Sequence, residues 1–310
     1  MKKWFIRFSI LALAGLLIFL GVAFLRMKLA AAEVLRQAQS YSETAPLEFG
    51  ETSSLEVIPL YENASASGDL QSGLGVSYLI RTDHATILFD LGNNWNGASP
   101  SPLLQNMASL GITLDEIDTI VISHRHLDHV GGNNWWSKKT FSLDGATQPP
   151  LGERPIYIPE AMSYPGSEPV VSESPVLLAE GVATTGLITY AQPFPLWLAI
   201  PKGDEQAIAV NVTGKGLVLI TGCGHMGLEA LLGRAADVFE VPVAGLIGGL
   251  HYGNATTQDL QPEIALVQSL NPLIVALSPH DSGPAAIDAF ARAFPAVYQD
   301  IQVGKALLIQ

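Results

Sequence analysis

Ile117-Asp118-Thr119-Ile120-Val121-Ile122-Ser123-His124-Arg125-His126-Leu127-Asp128-His129 is the stretch on which the reading of this chain turns. The apolar run that opens it reads as a buried strand ending just before the first histidine. Side chains two apart in extended backbone point the same way, so His124 and His126 can converge on one cation. Asp128 and His129 lie beyond the bend, placed for a second. Imidazole nitrogen and carboxylate oxygen suit zinc, with iron or manganese as alternatives where carboxylates contribute. The competing reading is a cluster of surface histidines at a strand end. Gly131-Gly132, which permit a tight exit from the turn, weigh against it.

His-x-His-x-Asp-His after a hydrophobic strand, followed by Gly-Gly, resembles the signature of the metallo-β-lactamase superfamily. The resemblance implies an α/β fold, a four-layer αββα sandwich with metals at one edge of the paired sheets. Other segments match in order. Thr86 to Gly92 resembles the early strand whose closing aspartate, here Asp90, braces the metal-binding turn. Thr221-Gly222-Cys223-Gly224-His225, Gly248-Gly249-Leu250-His251 and Ser278-Pro279-His280 resemble a narrower branch, related to methanopterin-biosynthesis dihydropteroate synthase-like proteins. The likeness extends from about Leu55 to Gly283.

His225 and His280 each close a strand end punctuated by glycine or proline, where ligands distant in sequence can meet, and both are read as metal ligands. His251 is read as a ligand, a proton donor or a substrate contact. His84 sits in a hairpin turn and receives no role. Three positions depart from the superfamily pattern. Where many members carry Gly-His before a late hairpin strand, this chain has Gly203-Asp204-Glu205, so a carboxylate can stand in. Where many have Thr-Gly-Asp it has Thr221-Gly222-Cys223, with Cys223 either a thiolate ligand or a small buried residue. The branch's Pro-x-His-Cys-Thr-Gly block becomes Pro279-His280-Asp281-Ser282-Gly283.

The N-terminus carries a second message. Phe8 to Leu25 contains no charge and is near the lower limit for crossing a bilayer. A cleaved signal peptide shares the basic start and apolar centre, and Ala30-Ala31-Ala32 offers a cleavage site. The length of the run, and Arg26 and Lys28 directly after it, favour an uncleaved anchor. Lys2, Lys3 and Arg7 place the N-terminus on the cytoplasmic side, with the enzyme domain on the extracytoplasmic side. Residues 1–28 are thus read as the anchor, 29–54 as a linker whose first part can continue the helix, and 55–310 as the metallo-β-lactamase-type domain.

Charge narrows the partners. Beyond the anchor the chain keeps 11 of its 16 basic residues against all 29 acidic ones, a balance of −18. Phosphate backbones need a basic track, so nucleic acid is not expected as a partner and a small molecule is. One cysteine excludes an intramolecular disulfide framework. Alternating patterns predict strands at Leu55–Tyr61, Val76–Arg81 and Ala85–Phe89, with a helix over Leu103–Leu110. A hairpin is predicted around Gly214-Lys215-Gly216, and helices over Leu228–Ala236, Leu260–Leu270 and Ala285–Phe294. Gly73-Leu74-Gly75 is read as a strand turn, since it lacks the lysine and helix of a phosphate loop. Phe141 to Pro201, rich in proline, glycine and serine, is expected to supply loops overhanging the site.

Two divalent ions, zinc by preference, would supply a hydroxide at neutral pH. The chain is therefore expected to be a metal-dependent hydrolase of a small ester, lactone, amide or phosphoester, with Asp128 and His251 as its catalytic pair. The alternatives are a synthase-type transfer, as the branch implies, and a non-catalytic metal-binding domain.

Overall fold

The structure is a computed structural model that describes residues 2–41, 45–192, 200–253 and 255–310. A single helix, α1 (Lys2–Tyr41), carries the whole apolar run and continues past it. It is long and apolar enough to cross a membrane.

Seven strands make the first sheet: β1 (Leu55–Tyr61), β2 (Ser77–Thr82), β3 (Thr86–Phe89), β4 (Thr119–Val121), β5 (Ile156–Ile158), β6 (Val170–Val171) and, joined to the free edge of β1, β15 (Leu307–Ile309). The second sheet has six: β7 (Leu177–Ala179), β8 (Val182–Thr184), β11 (Ile208–Val212), β12 (Gly216–Thr221), β13 (Val243–Gly248) and β14 (Ile274–Leu277). A separate pair, β9 (Ile188–Ala191) and β10 (Lys202–Glu205), stands between β8 and β11 in sequence. Helices α2 (Pro102–Ser109) and α3 (Asn133–Trp136) follow first-sheet strands. The second sheet is interleaved with α4 (Leu228–Val238), α5 (Gln261–Ser269) and α6 (Gly283–Ala293).

Strand alternation builds the layers. In β12, Val218 and Ile220 face the first sheet, packing among Tyr78, Ile80, Ile87, Phe89 and Val121. Leu217 and Leu219 point the other way, to Leu228, Leu231, Val267 and Phe290 of the helices. On the first sheet Leu79, Leu88 and Ile120 face outward under Leu103 and Met107 of α2. Period-two side-chain direction thus yields three apolar layers between four layers of structure, the expected αββα sandwich.

Strand direction, more than packing, gathers the motifs at one edge. β3, β4 and β5 run parallel, as do β12, β13 and β14. The C-terminal ends of β3, β4, β12, β13 and β14 lead into Asp90, Ser123–His129, Cys223–His225, His251 and His280. Every motif of the sequence therefore leaves the sandwich at a strand's C-terminal end.

The structure differs from the expected linker at 29–54. The helix runs through Tyr41, and Ser42-Glu43-Thr44 of the expected tether lie outside the described residues. Beyond them the chain is already part of the domain. The Leu47 amide donates to Val238 O at 2.8 Å, Phe49 is buried against Phe239 with ring centroids 4.8 Å apart, and Thr52 pairs with Val212. Apolar Leu47 and Phe49 complete the helix face of the second sheet, which a polar-looking stretch conceals.

Candidate metal centre

Three groups of side chains converge at this edge. His124, His126 and His225 form one, Asp128, His129 and His280 a second, and His124, His129 and Cys223 a third between them; within each, the potential ligand atoms lie within 4.8 Å of one another. All six residues read from the sequence as ligands are brought together. Cys223 joins them, with its Sγ 3.1 Å from His129 Nε2. It is at once buried and in the ligand cluster, so the two readings of it coincide.

A buried carboxylate holds each loop. Asp90 stands at φ +61°, a left-handed conformation uncommon for a non-glycine residue. Its Oδ1 accepts from the Ser123 amide at 2.7 Å; its Oδ2 takes the Ser123 hydroxyl at 2.6 Å and meets His129 Nδ1 at 2.7 Å. Glu205 does the same for the Cys223–His225 turn. It accepts from the amides of Cys223, Gly224 and His225 at 3.1, 2.8 and 2.8 Å, and its Oε2 is 2.9 Å from His225 Nδ1. With Nδ1 so committed, Nε2 of His225 is left for the cluster. Glu62, just past β1, takes the His280 amide at 2.8 Å, the Ser278 hydroxyl at 2.6 Å and the Tyr78 hydroxyl at 2.9 Å.

The bracing role read for Asp90 has its geometry here, whereas the sequence gives no sign of the same role for Glu62 and Glu205. Glu62 is a single acid after an apolar strand and Glu205 the second of two adjacent acids in a polar one, and neither pattern names a partner. Asp204, considered as a stand-in ligand, instead accepts from the Thr189 hydroxyl at 2.5 Å. Glycine is required at one of these turns: a Cβ on Gly222 would stand 2.3 Å from Ser123 Oγ and 2.9 Å from Asp90 Oδ2.

Charge states suit cation binding. Burial, with neighbouring imidazoles adding, pulls His124 well below the ordinary histidine range and His126 down to about 4, so both present neutral rings. Burial alone would lower His129, but the Asp90 carboxylate outweighs it and holds the ring up at about 9. Burial would raise Glu205, yet the His225 ring and the turn's amides bring it to about 2. Burial and the surrounding carboxylates push the Cys223 thiol up. The neutral His124 and His126 rings near ionised Glu205 suit a divalent cation, while His129 and the Cys223 thiol hold protons that a cation would displace on binding.

His251 stands beside the cluster, with φ +54°, its ring 4.4 Å from that of His225 and its Nδ1 2.8 Å from Asp281 Oδ1. The side chain is 51% exposed, so one face of the ring is open to an arriving molecule. His280 accepts the Gly75 amide at Nδ1, 3.0 Å, and sets Nε2 3.2 Å from Asp128 Oδ2. The backbone amide of Gly75, not the side chain of Leu74, therefore helps to hold His280. A cleft of about 150 Å³ opens over His124 and His126, lined also by Arg125, Glu160, Tyr190 and Lys202. The expected overhang from the 141–201 region supplies Glu160 and Tyr190; residues 193–199 of it lie outside the described residues.

Comparison with known proteins agrees with this arrangement. Residues 71–145 match the model of the metallo-beta-lactamase superfamily. The chain has the metallo-β-lactamase fold, and the matched segment contains the His124–His129 turn. More particularly, it is 25% identical over 297 residues to the 7,8-dihydropterin-6-methyl-4-(beta-D-ribofuranosyl)-aminobenzene-5'-phosphate synthase of Methanocaldococcus jannaschii, covering 84% of this chain and 99% of that one. Among solved structures, a metal-dependent hydrolase of the beta-lactamase superfamily aligns with a TM-score of 0.61 at 22% identity, over 83% of this chain and 99% of that one. The metallo-beta-lactamase fold protein YhfI from Bacillus subtilis gives 0.50 at 13%, over 83% and 100%.

Glu205→Gln tests the bracing directly. An amide keeps the shape but has one oxygen in place of two and turns its NH2 toward donors, so the His225 turn loses one of its two acceptors and the charge. Metal affinity of the His124–His126–His225 group is expected to fall about 10–100-fold, as for other groups that orient ligands. Metal titration reads this, and wild-type affinity in the variant would remove Glu205 from the site.

Proposed function

We propose that this chain is a membrane-anchored hydrolase that holds two divalent ions, zinc by preference, and acts on a small ester, lactone, amide or phosphoester. The observation that carries it is the pairing of two three-residue donor groups within one cluster, each loop tied to a buried carboxylate. His124, His126 and His225 would hold one ion, Asp128, His129 and His280 the other, with the Cys223 sulfur between them. Bound there, the ions supply Lewis acidity and a water of lowered pKa.

The chain's own residues do the rest. Asp128, kept ionised despite its burial by His280 and His129, can accept a proton from a nucleophile at its carboxylate. His251, half exposed beside the His225 ring and with Nδ1 fixed by Asp281, offers Nε2 to a leaving group. Arg125 and Lys202 stand on the cleft wall to hold polar parts of a substrate. The test is metal analysis of the purified protein beside turnover of chromogenic esters, lactones and phosphodiesters. A metal-free, inactive protein would refute it.

A synthase-type transfer is the second reading, supported by the relative from Methanocaldococcus. Formation of a pterin adduct from its two precursors is the discriminating assay.

The anchor reading rests on the exposed apolar length of α1. Full-length protein is expected to stay with membranes after high-salt and alkaline washes, retaining its first residues. Recovery of a soluble form beginning near Ala31 would replace the anchor by a cleaved signal. An extracytoplasmic domain is proposed from the basic residues before the span.

A further inference from the structure

Outside α1, the large hydrophobic side chains left exposed among the described residues are Leu74, Trp95, Val170, Leu177, Ile200 and Leu308. Single exposed apolar residues are ordinary, but a group of them around a polar centre marks a binding surface. Three of these six ring the metal centre. Leu74 and Trp95, 49% and 60% exposed, join Leu127 and Trp136 to line a cleft of about 380 Å³ that also touches His126 and Asp128. Ile200 lines the adjoining cleft over His124, and His126 and Trp136 belong to both. Trp136 is fixed in place: its Nε1 donates to Arg125 O at 3.0 Å, and the Arg125 guanidinium lies 5.5 Å from its ring.

The polar end of this surface lies beside α1. The Gln37 side chain accepts from the Thr189 amide of β9 at 2.6 Å, and Glu33 shares a cavity with Lys202 of β10. Lys202 also lines the cleft over His124 and His126. From Leu25, where the uncharged run ends, to Glu33 the helix rises about 12 Å. The headgroup layer occupies roughly 5–7 Å of that. A helix along the bilayer normal therefore sets the Lys202 side of the cleft just above the lipid headgroups.

We propose that the substrate is an amphiphile taken from the membrane surface. Its hydrocarbon chain lies along Leu74, Trp95 and Trp136, while its reacting polar group reaches the metal centre. The proposal rests on the metal-centre and anchor readings, and its test separates them.

Full-length protein is reconstituted in phosphatidylcholine vesicles, with and without zinc. It is then titrated with acetohydroxamic acid and with decanohydroxamic acid, whose shared head chelates divalent ions. Leu74→Ser and Trp95→Ser, each at an exposed position and checked for native circular dichroism, are titrated alongside. Partition of the long probe into lipid is the same for all three proteins, so differences among them report the cleft. Each variant is expected to bind the two-carbon probe as wild type does and the ten-carbon probe about tenfold more weakly, a little less than the burial of two methylenes. Wild-type affinity for the ten-carbon probe in both variants overturns the subsite. Two-carbon binding that ignores zinc strikes the metal centre instead, and the ten-carbon comparison in metal-free protein still decides the subsite. Equal apparent affinity for the long probe in vesicles and in lipid-free amphipol overturns uptake from the membrane.

Discussion

His124→Ala and His126→Ala are each expected to reduce bound metal by one ion per chain and bring turnover to background. Both rings belong to the same three-residue group, where His124 Nε2 and His126 Nδ1 lie 3.0 Å apart with His225 beside them. Two unprotonated nitrogens so close repel unless a cation or a proton lies between them, and burial works against the proton. Removing either ring leaves two donors for an ion that takes three from the protein in catalytic zinc sites. His225→Ala should act on this same ion, and His280→Ala on the other. Elemental analysis beside turnover on one substrate checks the pattern. Unchanged metal content in both the His124 and His126 variants would sink the metal-centre reading.

The candidate ligands were legible because each lies within a few residues of a strand end, where local sequence carries both the apolar run and the break that follows it. The layers were legible for the same reason: Leu217-Val218-Leu219-Ile220 shows a fully buried strand whichever way it faces. What holds the ligands was not. Glu205 acts 18 to 20 residues away on the Cys223 turn, and Glu62 acts 218 residues away on His280. An acid at a strand's end reads as solvated until the fold closes over it. Leu47 and Phe49 were hidden in the opposite sense. Two apolar residues amid Glu43, Pro46 and Glu48 have no periodicity, so only the helix face they complete reveals their purpose. Gly73-Leu74-Gly75 reads as a turn but not as part of the site, because its contact with His280 crosses 205 residues.

Asp128→Asn isolates chemistry from architecture. The Asp128 carbonyl accepts the Val76 amide at 3.3 Å, and that bond is indifferent to the side chain, so the turn should persist. The three imidazoles His124, His126 and His225 are untouched, and the ion they would hold should remain. The change falls on the second group, where Oδ2 meets His280 Nε2 at 3.2 Å. An amide has no charge to balance a cation and no basic oxygen to take a proton. The second ion should bind more weakly, and turnover at saturating zinc should still fall by about 100–10,000-fold, the range of a lost general base. Restoring the metal with excess zinc therefore separates the two contributions. If turnover recovers along with metal content, Asp128 acts only as a ligand. If turnover stays low in fully loaded protein, its carboxylate takes the proton, the role proposed for it from its place beside His280 and the open cleft.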